Sequence, residues 1–263
     1  ARVEDGVGVL TMNRPERRNA FSGPMVEALG HMLARFETDG DVGAVVLTGA
    51  SGGFSAGGDV KAMASTNTGD GGSGGQGLDE RIHQQRLNQR ATSGKLWEMP
   101  KPTIAALPGP AAGAGLSLAL ACDLRYAAAG TVMTTAFARV GFSGDYGGTW
   151  LLTRLVGAAK ARELYFFSDR LPVEEAERLG IVNGVFPPEA LEGEVMARAR
   201  RLASGPRIAY RYMKENLNRA VHAPFDECLD LEATHHIHTG LTEDHREAAQ
   251  AFVERREPVF RGR

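Results

Sequence analysis

Apolar positions along this chain change period from front to back. Met25, Ala28, Leu29, Met32, Leu33 and Phe36 recur at i, i+3, i+4, i+7, i+8 and i+11, one apolar stripe of a helix over 24–37. Ser22 supplies a cap for it and Pro24 suits its first turn. Residues 2–13 carry β-branched residues in partial alternation and read as a strand or hairpin. "AVVLTG" (44–49) and "TIAAL" (103–107) are short, wholly apolar runs, the pattern of buried strands. "LSLALACD", apolar nearly all round, predicts a buried helix, and "LRYAAA" and "TVMTTA" two further short strands. A polar helix is expected at about 79–98, ending before "MPKP". From about residue 147 the pattern turns almost wholly helical. Amphipathic segments lie near 147–156, 158–167, 173–179, 189–203, 206–219, 225–239 and 243–256. A mixed front half and a helical back half predict an α/β fold without internal repeats. Residues 64–77, "ASTNTGDGGSGGQG", hold too little apolar surface for one conformation and are expected to form a mobile loop.

Composition narrows the function classes. The 263 residues are 43% hydrophobic and 24% charged, with a formal net charge of −2. That balance gives no reason to expect nucleic acid or an anionic membrane surface as a partner. Two cysteines far apart, Cys122 and Cys228, make neither a disulfide framework nor a zinc pattern. No apolar run approaches the ~20 residues that span a bilayer. With no targeting signal in view, the cytosol is the default compartment.

Two strand-to-glycine transitions stand out, "VVLTGASGGFSAGGDVKAM" (45–63) and "TIAALPGPAAGAGLSLALACD" (103–123). Small residues let a ligand approach the backbone, and a helix start leaves N–H groups free to meet it. Two such groups converging would hold a developing negative oxygen. Turns and tight packing account for the glycines equally well. "GASGG" (49–53) and "GGSGG" (71–75) match G-x-S-x-G, but neither precedes a helix as a nucleophile elbow requires. "GAGLSL" lacks the last glycine of a dinucleotide fingerprint, and no P-loop occurs. The histidines of "HHIHTGLTEDH" lack zinc spacing, so no metal site is expected. One carboxylate, Asp145, lies among glycines and aromatics in "GFSGDYGGTW" (141–150). It either caps the helix that begins near Gly147 or works as a base in a pocket.

Taken together, "NRPERRNAFS" (13–22), "FSAGGDVKAM" (54–63), "GPAAGAGLSLALACDLRYA" (109–127), "GGTWLLTRLVG" (147–157) and the tail "TEDHREAAQAFVERREPVF" (242–260) resemble the crotonase family, the enoyl-CoA hydratase/isomerase superfamily. The resemblance covers nearly the whole chain. It implies a crotonase-like spiral of β-β-α turns over residues 1–190 and a helical C-terminal region, 191–263, that carries trimerisation. It implies an acyl-CoA thioester as substrate, coenzyme A being part of that substrate and no separate cofactor. It also implies a homotrimer or a dimer of trimers. Matching the motifs residue by residue puts the two N–H donors for the thioester oxygen at Gly58 and Ala114. The coenzyme A moiety would meet Arg17 or Arg18, Ala56 and Asp59, with Arg255 near the phosphates, supplied by a neighbouring subunit. The mobile loop and the helix after it would border the acyl pocket, with Met63 beside it.

Hydratases of this family carry two glutamates that position and activate water; the matching positions here hold Ser117 and Phe137. Neither exchanges protons at neutral pH. Some isomerases of the family, dienoyl-CoA and ring-epoxide types among them, place an aspartate where Asp145 stands. The expected chemistry is therefore isomerisation: the amides stabilise a thioester enolate, and Asp145 alone takes a proton from one carbon and returns it at another. An apolar wall from Phe137 would raise the proton affinity of Asp145. Hydration of an enoyl-CoA, hydrolysis of an acyl-CoA with Asp145 as nucleophile or water activator, and acyl-CoA binding without catalysis are the alternatives on the same fold.

Overall fold

In the computed structural model, residues 1–66 and 77–263 are described. Most of the stretch expected to be a mobile loop, residues 67–76, lies outside them. Two strands open the chain, β1 (Arg2–Glu4) and β2 (Val7–Met12). They form the expected hairpin, turning at Asp5–Gly6 with φ of 49° and 77°, an Asp-Gly pair suited to a tight hairpin turn. Helix α1 (Gly23–Thr38) follows, capped by Ser22, whose hydroxyl accepts from Met25 N at 3.4 Å.

Strands β3 (Ala44–Gly49), β4 (Thr103–Leu107), β6 (Leu124–Ala128) and β9 (Gly184–Phe186) extend β2 into a parallel sheet, so that the order is β1-β2-β3-β4-β6-β9. Its strands read as unbroken apolar runs because both faces are covered. Val7, Val9, Val46, Ile104 and Ala106 face helix α8 (Pro188–Ala203) through its Leu191, Val195, Met196 and Ala199. Leu10, Met12, Val45, Leu47, Ala105 and Leu107 face the opposite way, toward Leu29, Leu33 and Phe36 of α1 and the wholly buried helix α5 (Ala114–Leu120). The packing of the sheet thus continues through α8 to Ala203, past the boundary at 190 drawn from the sequence.

A second ladder crosses the ends of these strands. Phe21 bridges Gly58, Ser55 bridges Ala111, and β5 (Ala111–Ala112), β7 (Val132–Thr134) and β8 (Leu171–Pro172) pair side by side. The ladder stacks one turn of the spiral on the next. Strands β8 and β9 correct the expectation of an almost wholly helical chain after residue 147. At two and three residues, they are too short for periodicity to register. The polar helix expected at 79–98 is three pieces, α3 (Leu78–Gln89), a π-helical turn over 90–94 and α4 (Lys95–Glu98). The two helices expected at 147–156 and 158–167 form one element, α6 (Gly148–Phe167), broken at Gly157 with φ 76° and ψ 163°.

Short α7 (Val173–Arg178) leads to α8, and α9 (Arg207–Ala220), α10 (Phe225–Gly240) and α11 (Glu243–Glu254) complete the chain. A buried ammonium fastens α9 to the body: Lys214 Nζ donates to Leu96 O (2.9 Å), Lys101 O (3.3 Å) and Asp123 Oδ2 (2.8 Å). Asp123 Oδ2 also accepts from Thr103 N and its hydroxyl at the start of β4. Removing the ammonium leaves the largely buried Asp123 carboxylate without its counter-charge. Lys214→Ala is therefore expected to destabilise the fold by about 3 kcal/mol or more, read as a lowered urea midpoint with α9 the first segment to lose amide protection.

Candidate active site

The second ladder brings the two glycine-rich stretches of the sequence together. Phe21 N donates to Gly57 O at 2.7 Å, Ala56 N to Arg18 O at 3.0 Å and Ala112 N to Ser55 O at 2.9 Å. Gly57 has φ 79°, and a Cβ there would stand 2.6 Å from Ala112 O and 3.0 Å from Ala114 N. Only glycine permits that approach. The Gly58 amide follows directly on Gly57, and the Ala114 amide, at the first position of α5, is the nitrogen that a Gly57 Cβ would meet. Neither N–H has an acceptor assigned among the described residues. Two buried polar residues that the sequence did not single out hold this region. Asn19, at φ 54°, accepts from Arg14 N (2.8 Å) and donates to Ala50 O (3.0 Å) and Gly53 O (2.9 Å). Ser55 Oγ donates to Asn19 O (2.8 Å) and accepts from Gly57 N (3.1 Å). A left-handed asparagine in "NRPERRNAFS" is the signal that would have found the first; a buried serine leaves none.

Asp145 lies in the turn that precedes α6. Tyr146 takes a left-handed φ of 50°, a conformation that costs a non-glycine residue about 1–2 kcal/mol. Its amide donates to Gln89 Oε1 at 2.5 Å, and its ring meets Phe21 edge-on at 5.5 Å. Those contacts offset the strain and aim the preceding side chain inward. The alternative of a helix cap fails: Gly147 occupies the cap of α6 without any side-chain bond, and Asp145 contributes only its main-chain oxygen, accepting from Gly148 N at 3.1 Å. Oδ1 of Asp145 is buried and has no hydrogen-bond partner among the described residues. Burial disfavours the charged form and pushes the carboxyl up to about 6.

Tyr165 stands near it, with Ser117 and Phe137 against that tyrosine. Ser117 is buried one turn into α5 and donates to Gly113 O at 3.3 Å. Phe137 stacks on Tyr165 with centroids 5.9 Å apart and planes 5° from parallel, and its ring edge lies 3.9 Å from the place of a Gly113 Cβ. A Cβ on Gly148 would meet Ser117 Oγ at 2.2 Å and the Tyr165 hydroxyl at 2.6 Å. Gly148 therefore leaves the space in which the two hydroxyls sit. The Tyr165 ring also packs on Gly144, next to Asp145, at 3.2 Å from a Cβ position there. Burial, and the Asp145 charge less strongly, push the Tyr165 phenol up, while Ser117 partly offsets this. Burial and Asp145 likewise push Tyr146 up to about 12. Both phenols stay protonated at neutral pH. Sequence reading passed over Tyr165 because Ala161, Leu164 and Tyr165 fall on the apolar face of α6.

The remaining candidates are placed as follows. Arg17 and Arg18 are exposed on the 3-10 turn Pro15–Arg17 and just after it. Arg18 and Ala56 line a cleft of about 440 Å³ that Arg170 also borders. Asp59 accepts from Ala62 N (3.1 Å), at the start of α2 (Val60–Thr66), and pairs with Arg14 at 3.0 Å. That backbone bond and the arginine hold its carboxyl below the usual range. Met63 reaches back over Gly58, its Cε 2.8 Å from where a Cβ would stand. Arg255 is exposed at the end of α11, whereas its neighbour Arg256 is bound by Glu247 and Glu254, each at 2.6 Å. Another cleft, of about 670 Å³ between α4 and α9, contains Lys214, and Asp145 does not line it. Among the described residues, no cluster of three or more His, Cys, Asp or Glu could share a metal ion, and no helix is long and apolar enough to cross a membrane.

Comparison with known proteins identifies the family and its fold. The family model for enoyl-CoA hydratase/isomerase matches residues 2–263. The chain is 36% identical over 261 residues to 1,2-epoxyphenylacetyl-CoA isomerase of Escherichia coli, covering 99% of this chain and 97% of that one. It is 32% identical to the short-chain-enoyl-CoA hydratase of Clostridium acetobutylicum, over 96% of this chain and 93% of that one. The crystal structure of an enoyl-CoA hydratase from Polaromonas sp. JS666 superposes with a TM-score of 0.91 at 30% identity, covering 99% and 98% of the two chains.

The state of Asp145 has a consequence for stability. Its folded value of about 6 lies above the ~3.9 of an unfolded aspartate. The folded state therefore binds more protons between those values, and this contribution to stability is full below pH ~4 and lost as pH rises through about 6. Asp145→Asn is expected to raise the unfolding free energy at pH 7.5 by about 1–3 kcal/mol, and to give no gain at pH 4. Melting the two proteins across that pH range checks it.

Proposed function

Because the chain belongs to the enoyl-CoA hydratase/isomerase family, we propose that it is an acyl-CoA isomerase that moves a double bond, or opens a ring epoxide, with Asp145 as its single acid/base. The observation that carries this reading is the buried, unpartnered Oδ1 of Asp145, a carboxyl raised to about 6 in the turn before α6. A general base works best with a proton affinity near working pH, and one carboxyl that serves first as base and then as acid completes an isomerisation. The thioester oxygen sits between the amides of Gly58 and Ala114, which stabilise the enolate as the proton leaves. One such donor is typically worth ~3–4 kcal/mol in the transition state.

Addition of water needs a positioned water and a proton donor as well. Ser117 and Phe137 occupy the two positions at which the resemblance expects those carboxyls, and neither supplies one. Arg17, Arg18, Ala56 and Asp59 surround the coenzyme A moiety, and Met63 borders the acyl chain. Arg255 reaches the phosphates of a neighbouring subunit in a homotrimer or a dimer of trimers. The apolar side chains that the single chain leaves exposed on its last three helices support that assembly, among them Leu217, Phe225, Ile237 and Phe252.

Incubation with a panel of enoyl-, dienoyl- and epoxyacyl-CoA thioesters is expected to give products of unchanged mass with shifted conjugated-thioester absorbance. Gain of one water would instead make the protein a hydratase. Asp145→Asn is expected to lower kcat by about 10²–10⁴ while leaving coenzyme A thioester binding intact. In the unaltered enzyme, kcat/KM should rise about tenfold per unit up to pH ~6 and then level off, because only the deprotonated carboxyl accepts a proton.

A further inference from the structure

Three observations converge on Tyr165. Its ring stacks on Phe137 and its hydroxyl sits beside Ser117, the two positions at which the resemblance expects a hydratase to carry its glutamates. The ring also packs on Gly144, which places it against Asp145. Gly148 leaves no side chain between the two hydroxyls. The phenol therefore fills the ground between two positions that would otherwise hold water, and it brings a hydroxyl into a site walled by Phe137 and Tyr146.

We propose that the Tyr165 hydroxyl, seconded by Ser117, is a specificity-determining group that hydrogen-bonds an oxygen carried by the acyl chain itself. The substrates of this site are then coenzyme A thioesters with a hydroxyl, epoxide or carbonyl oxygen on the acyl chain, in preference to plain hydrocarbon chains. The inference rests on the acyl-CoA reading given above and deepens it.

The chemistry follows from the inventory of the site. Ser117 directs its one proton to Gly113 O, over a long 3.3 Å. The Tyr165 hydroxyl is bonded to Ser117. A hydroxyl bonded once keeps capacity for a further hydrogen bond, because it carries one proton and two lone pairs. A hydrocarbon chain laid against it would take away water and return no hydrogen bond, whereas an oxygen function replaces the lost partner. Sites built to pair with a substrate oxygen reject the analogue that lacks it for this reason. Phe137 acts through Tyr165: by stacking, it fixes the plane of the ring and so the direction of its hydroxyl.

The test is calorimetric binding of butanoyl-CoA and of 2-, 3- and 4-hydroxybutanoyl-CoA to the unaltered protein, to Tyr165→Phe and to Ser117→Ala. At least one hydroxy thioester is expected to bind the unaltered protein about tenfold more tightly than butanoyl-CoA. Tyr165→Phe should bring that ratio to within about twofold, weakening the hydroxy thioesters and tightening butanoyl-CoA, which no longer strips water from a phenol, and Ser117→Ala should lower the ratio in part. Equal affinities in the unaltered protein, or a preference that survives Tyr165→Phe, overturn the inference while leaving the acyl-CoA reading standing. Failure of every thioester to bind overturns both. Since Tyr165→Phe keeps the ring and its stacking on Phe137, a loss of butanoyl-CoA affinity equal to that of the hydroxy thioesters marks a structural role and also overturns it.

Discussion

The approach of one backbone to another at Gly57 is the constraint on which the rest of this structure depends. Two turns of the spiral meet there main chain to main chain, at a separation that no Cβ survives. Everything on either side exists to hold that contact. Ser55 satisfies the Gly57 amide, Asn19 ties the 50–53 loop beneath it, and the parallel sheet sets the height at which each strand delivers its small residues. The contact brings the amides of residues 58 and 114 close together although 56 positions separate them in the chain.

The polar groups at the other wall follow a similar economy. A buried carboxyl oxygen left without a partner costs stability, and among the described residues the fold accepts that cost only at Asp145. Charged groups with structural work are treated differently. Lys214 and Asp123 satisfy each other, Asp244 receives the amides of Arg261 and Gly262, and the buried Arg125 spends its guanidinium on Ile181 O (2.6 Å) and Cys122 O (2.5 Å). This contrast separates Asp145 from the acidic residues just named: its Oδ1 is buried and unpaired.

Much of this was legible in the sequence, for identifiable reasons. Long amphipathic elements such as α1 and α8 repeat their apolar positions often enough to be read, and glycine-rich turns announce themselves by composition. The candidate residues at the spiral contact came from motif order across the whole chain, because no single glycine run distinguishes a ligand site from a tight turn. What stayed hidden depends on contacts between distant segments. Strand β9 exists because β6 offers it an edge. Tyr165 reads as one more core residue of a helix until the hydroxyl of Ser117 and the plane of Phe137 are seen beside it. Lys214 looks like an ordinary surface lysine of α9, and only the carbonyls of Leu96 and Lys101 show why it is buried.

The break at Gly157 carries one more implication. Gly148 and Tyr165 belong to the same helical element, and along a straight helix their 17-residue separation would span about 25 Å. Instead the phenol tip touches the Cα region of Gly148, because a single extended torsion doubles the element back on itself like closed tweezers. The length of each arm is therefore a gauge. Adding or removing one residue in either would swing the tip about 100° around its axis, away from Ser117 and Asp145.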